Sequence, residues 1–138
     1  MILAATIRAL MALAFLSGDS ATPAQHARVV NLIADHNSTF RVDGPNSSEL
    51  DLIVGEPITL HVEAHKAKSM NRDGSVHGLV LLDSHRKPIP GWELMFKPGV
   101  QEVQVTAPDE PGIYEAVCAV ICSTDHERMK FRVVVRQK

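Results

Sequence analysis

From Arg28 onward, apolar side chains alternate with polar ones instead of recurring every three or four residues. Ile58, Leu60, Val62 and Ala64 are interleaved with Thr59, His61 and Glu63. A period of two puts one set on a buried face and the other toward solvent, as in a half-buried β-strand. The same period runs through Val103 and Val105 within residues 101–107, and through Phe131, Val133 and Val135 near the end of the chain. Residues 29–34 and 76–82 are more continuously apolar, the pattern of strands covered on both faces. Between these segments lie Gly44-Pro45-Asn46, Gly55-Glu56-Pro57, Asp73-Gly74, Pro88-Ile89-Pro90-Gly91, Lys97-Pro98-Gly99 and Pro108-Asp109-Glu110-Pro111-Gly112. Each supplies a fixed or a positive φ, so each reads as a turn. Short strands with turns at this spacing predict an all-β, two-sheet sandwich.

The chain has 138 residues, enough for one domain and one hydrophobic core. No internal repeat or low-complexity tract divides it. Met1 to Leu16 is nearly all apolar, but Arg8 interrupts it and the run is shorter than the roughly 20 residues that span a bilayer, so no strong transmembrane helix is expected. The stretch from Ala9 to Leu16, followed by Ser17-Gly18-Asp19-Ser20-Ala21, has the apolar core and small-residue end of an export signal. An uncleaved N-terminal helix, or a start site assigned too early, is the alternative. Residues 1–25 are therefore expected to be an export signal or an apolar helix with a polar linker, and residues 26–138 the folded domain. The expected location is the periplasm or another extracytoplasmic compartment, with membrane association left open.

Net charge is −2 with 22% charged residues. No run of Lys or Arg marks a phosphate-binding face, which argues against nucleic acid as a partner and leaves a protein or an ion.

The chemistry concentrates near the end of the chain. Cys118 and Cys122 are the only two cysteines. His126 and Met129 follow, giving Cys-x3-Cys-x3-His-x2-Met. Thiolate and thioether favour copper, imidazole suits it, and a His/Cys set with a weak Met ligand is the pattern of copper electron-transfer sites. Iron–sulfur clusters normally want four cysteines. Structural zinc sites rarely use Met, and paired C-x2-C or H-x3-H knuckles are missing here. A Cys118–Cys122 disulfide would suit an exported protein. It would close only a small loop and leave the His and Met spacing unexplained.

Phe96-Lys97-Pro98-Gly99, then Val103, Val105, Thr106 and Ala107, then Pro111-Gly112-Ile113-Tyr114 up to Cys118, resembles the last strands of a cupredoxin running into its ligand loop. The stretch from Cys118 through Cys122 and His126 to Met129 is similar to the binding loop of the CuA domain of cytochrome c oxidase subunit II and of nitrous-oxide reductase. That family takes a further histidine from an earlier strand, and Ser75-Val76-His77-Gly78-Leu79 resembles that segment, with His77 at the matching position. The resemblance covers roughly residues 50–135. It implies a cupredoxin-like Greek-key β-sandwich in which Cys118 and Cys122 bridge two copper ions, His77 and His126 each cap one, Met129 binds one weakly, and the carbonyl of Val120 completes the shell of the second ion. Two positions depart from the family. Gly74 stands where an Asp often precedes the first histidine, with Asp73 displaced by one, so the support of His77 has no obvious source. Val120 replaces a Glu that contacts a magnesium ion in many oxidase subunits, so no such ion is expected.

The function so implied is electron transfer, not catalysis, with a redox protein such as a cytochrome c or an oxidase subunit as partner. The chain could be a soluble carrier or the copper-bearing part of a respiratory oxidase or reductase. A copper carrier or chaperone, and a mononuclear blue-copper carrier, are the other readings of the same ligands. His26, His36, His61, His65 and His85 show no competing ligand spacing and read as solvated surface residues. Trp92 reads as core or rim packing. Asp109, Asp125 and Glu127 read as a solvated acidic rim, a candidate docking edge for a basic partner.

Overall fold

Paired strands make up the fold, nine of them among the described residues. The computed structural model describes residues 26–36, 39–44, 46–120 and 128–138. They contain β1 (Arg28–Ala34), β2 (Phe40–Val42), β3 (Glu49–Ile53), β4 (Pro57–Ala64), β5 (His77–Leu82), β6 (Pro88–Phe96), β7 (Gly99–Thr106), β8 (Gly112–Val117) and β9 (Lys130–Arg136). The sheets run β2-β1-β4-β7 and β3-β9-β8-β5-β6. The pairs β1/β4 and β3/β9 are parallel. The other pairs are antiparallel.

The core faces follow the period of two. Ile58, Leu60, Val62 and Ala64 of β4 are buried, as are Leu79 and Leu81 of β5 and Phe131, Val133 and Val135 of β9. Two aromatic contacts join the sheets. Trp92 of β6 is 1% exposed, and its Nε1 donates to the carbonyl of Thr106 on β7 at 2.7 Å, so its ring fills the core while its one polar atom stays satisfied. Phe40 of β2 meets Phe131 of β9 edge to face, with centroids 5.6 Å apart. Tyr114 donates from its hydroxyl to the carbonyl of Glu110 at 2.8 Å, a corner bond of the kind that fastens crossovers in Greek-key sandwiches.

One predicted turn is a strand instead. Pro88-Ile89-Pro90-Gly91 opens β6, and Pro88 pairs with Leu82 next to a register shift in β5. β6 is the edge of its sheet, where a proline without an N–H leaves no ladder bond unmade. The turn lies just before it, where Asp83 Oδ1 accepts from the amides of His85 and Lys87 and Arg86 takes a left-handed φ of 61°. Among the described residues no helix is long and apolar enough to cross a membrane. The expected export segment, residues 1–25, lies outside the described residues.

Candidate metal centre

Antiparallel pairing brings three of the predicted ligands to one end of the second sheet. His77 is the first residue of β5, Cys118 follows the last residue of β8, and Met129 precedes the first residue of β9. The ladder between β8 and β9 ends at Val117 opposite Lys130. One step beyond, the amide of Cys118 donates to the carbonyl of Met129 at 3.0 Å. The alternation that buries Tyr114 and Ala116 of β8 carries on to Cys118, which is 8% exposed. The alternation of β9 likewise turns Met129 inward, fully buried. Cys118 Sγ lies 3.2 Å from the carbonyl oxygen of Val120, to which the thiol donates. Thiol and carbonyl, both expected ligands, thus converge. Cys122 and His126 lie outside the described residues, as do Asp125 and Glu127 of the acidic rim.

His77 is fully buried. Its Nε2 donates to the backbone carbonyl of His65 at 2.9 Å, while Nδ1 has no hydrogen-bond partner among the described residues. Burial pushes the imidazole below its ordinary pKa. A neutral ring with its proton on Nε2 therefore presents a bare lone pair at Nδ1, the form in which imidazole binds a metal. An orphaned buried acceptor costs free energy unless something fills it. The described donors, one thiol, one thioether, one carbonyl and one neutral imidazole, fit copper in both softness and protonation.

The support of His77 comes from somewhere the sequence did not indicate. Asp73 accepts from the amide and hydroxyl of Ser75 at 2.9 and 2.6 Å, shaping the turn before β5. The orienting group is instead the His65 carbonyl, just past the end of β4. The His65 ring is itself anchored, Nδ1 to Asp35 Oδ1 at 3.0 Å and Nε2 to Glu63 Oε1 at 2.9 Å. Sequence reasoning missed this residue because its contribution is a backbone oxygen, which carries no residue signature. His26 and His85 are exposed as expected, and so is His36. His61 and His65 are only partly so.

On the other face of β5, Gly78 admits Val120. A Cβ at Gly78 would fall 2.9 Å from Val120 Cγ2, 3.1 Å from the carbonyl oxygen of Leu94 and 3.1 Å from Met95 Sδ. Glycine beside His77 thus lets the residue two after Cys118 pack onto the strand.

The architecture and the ligand end together define a cupredoxin-like Greek-key β-sandwich. A chain of a heme-copper terminal oxidase dimer superposes with TM-score 0.54 and 18% identity, over 83% of this chain and 68% of that one. The Cu-containing nitrite reductase from Thermus scotoductus SA-01 gives 0.52 and 19%, over 99% of this chain and 25% of that one. Rusticyanin from Thiobacillus ferrooxidans gives 0.52 and 17%, over 78% and 76%. At these identities the likeness defines the fold. No protein-family profile matches the chain, and no curated protein matches it.

Proposed function

We propose that the chain is an electron-transfer protein holding a dinuclear copper centre of the CuA type, with His77, Cys118, the Val120 carbonyl, Cys122, His126 and Met129 as ligands. The observation that carries this reading is His77 Nδ1, a buried, unprotonated nitrogen without a partner among the described residues, at the sheet end that also holds Cys118 and Met129. When bound, the copper pair would supply a reversible one-electron change. The protein's part is to keep the donors still: His77 is locked by the His65 carbonyl, and Cys118 is fixed by the β8/β9 ladder. Met129 is buried in the core. Rigid donors minimise rearrangement when the charge of a site changes. The second cysteine of the motif favours two ions over one, because a mononuclear blue-copper site needs a single thiolate.

The proposal extends to the setting of the protein: export beyond the cytoplasm, a folded unit from residue 26 onward, no catalysis by the chain itself, and a redox protein such as a cytochrome c or an oxidase subunit as partner. The deciding experiment is reconstitution of the chain with copper under reducing conditions, followed by metal analysis and EPR of the oxidised form. Two coppers per chain sharing one unpaired electron is the expected result. One copper with a single-ion signal would replace the reading with a mononuclear carrier, and rapid loss of copper to a chelator would replace it with copper delivery.

A further inference from the structure

A second group of side chains of metal-ligand type lies where β1 ends, around the His65 ring. Asp35 is 7% exposed. Its Oδ1 faces His36 Nδ1 at 2.7 Å and His65 Nδ1 at 3.0 Å, and one donor atom from each of the three residues lies within 4.8 Å of the other two. Its Oδ2 is held by Arg41 Nη1 at 2.9 Å, which fixes the carboxylate so that Oδ1 points at the two rings. Glu63 closes the far side of His65. We propose that Asp35 Oδ1, His36 Nδ1 and His65 Nδ1 form a second metal site, for a zinc-like divalent cation, distinct from the copper ligands.

The chemistry of the donors supports this. One carboxylate and two imidazoles are a three-ligand zinc set, and such sets leave a fourth position open to water. Tetrahedral zinc at about 2.0–2.1 Å from its ligands separates them by about 3.4 Å. The spacings at Oδ1, 2.7 Å to His36 and 3.0 Å to His65, therefore need to widen by about 0.7 and about 0.4 Å to reach it. His36 can supply that movement, since its side chain is 73% exposed. Asp35 and Glu63 bring two carboxylates to the corner beside Arg41, and a cation bound there would take the place of the proton on His65 Nδ1. A carboxylate and two imidazoles are harder donors than the thiolate and thioether of the proposed copper centre, so the two sites differ in the metals they favour.

The test is zinc titration of the tag-free full chain by calorimetry and equilibrium dialysis, beside His36→Ala, which removes an exposed ring and leaves the core untouched. The wild type should bind one zinc equivalent more than His36→Ala, or bind that equivalent at least about tenfold more tightly. Cys118→Ser should keep the equivalent that depends on His36, separating it from zinc held by the thiolates. Identical stoichiometry and affinity in wild type and His36→Ala would overturn the proposal, as would loss of the difference in Cys118→Ser with its strand circular dichroism intact.

Discussion

His65 and His77 are joined by one hydrogen bond, yet their surroundings set them for opposite charge states. The His77 ring is fully buried, gives its one proton to a carbonyl, and is pushed below its ordinary pKa by desolvation. The His65 ring is 38% exposed and has a carboxylate on each nitrogen. Glu63 and then Asp35 push it above its ordinary pKa. Burial with a single acceptor keeps an imidazole neutral and leaves a lone pair for a metal, whereas two carboxylates put a proton on both nitrogens. The His77 ring therefore offers its lone pair to a metal without losing a proton, while at the Asp35 corner a metal must displace one from His65.

The sharpest break between the two regions is in copper retention. His77→Ala should weaken copper binding by more than about 100-fold, above the 10–100-fold typical of losing an outer partner of a ligand. His36→Ala should leave copper content unchanged. Competition against a copper chelator followed by metal analysis checks both; equal retention in the two variants would remove His77 from the site.

A smaller effect is expected at Gly78. In Gly78→Ala the new methyl meets Val120 and the Leu94 carbonyl, and the backbone oxygen cannot yield. Overpacking of this kind costs about 1–3 kcal/mol. Denaturant unfolding of the metal-free chain should show that loss, with an altered copper spectrum in the loaded form because the shift of Val120 displaces its carbonyl. An unchanged midpoint and spectrum would mean that Val120 repacks without effect on the site.

How far the sequence revealed these regions depends on what carries each contact. The strands β4, β7 and β9 were legible because one face is buried in each, and that writes a period of two into the residues; β1 was legible only as an apolar run, although just one of its faces is buried. β6 was not, because prolines at a sheet edge look the same in sequence as prolines in a turn. The short β2 and β3 hold too few residues for a pattern. His77, Cys118 and Met129 stood out in the sequence because candidate metal ligands are particular side chains, and the pairing of β5, β8 and β9 carries these three to one end. The support of His77 was not legible, because any residue at position 65 offers the same carbonyl. The Asp35 corner was hidden for a different reason. Its partners lie at positions 35, 36, 41, 63 and 65, and the antiparallel pairing of β1 with β2 and the parallel pairing of Ala34 with Ala64 bring them together.

That corner also yields the smallest prediction, one of pH. A raised His65 contributes stability in full below its unfolded value of 6.5 and loses it as pH rises through the folded value. Asp35, lowered chiefly by His65, contributes above its unfolded value of 3.8 and loses it as pH falls. The pair thus stabilises most between 3.8 and 6.5. His77 runs the other way: lowered from 6.5, it contributes above that value and loses stability as pH falls. Comparing wild type with Asp35→Asn, which keeps the shape and removes the charge, largely cancels the His77 contribution because both chains carry it. In metal-free protein at constant ionic strength, the gap between their thermal midpoints should be wider at about pH 5.5 than at about pH 9. A gap that stays constant across that range would mean that His65 carries no proton between its two carboxylates, and the contrast between the two histidines would reduce to burial alone.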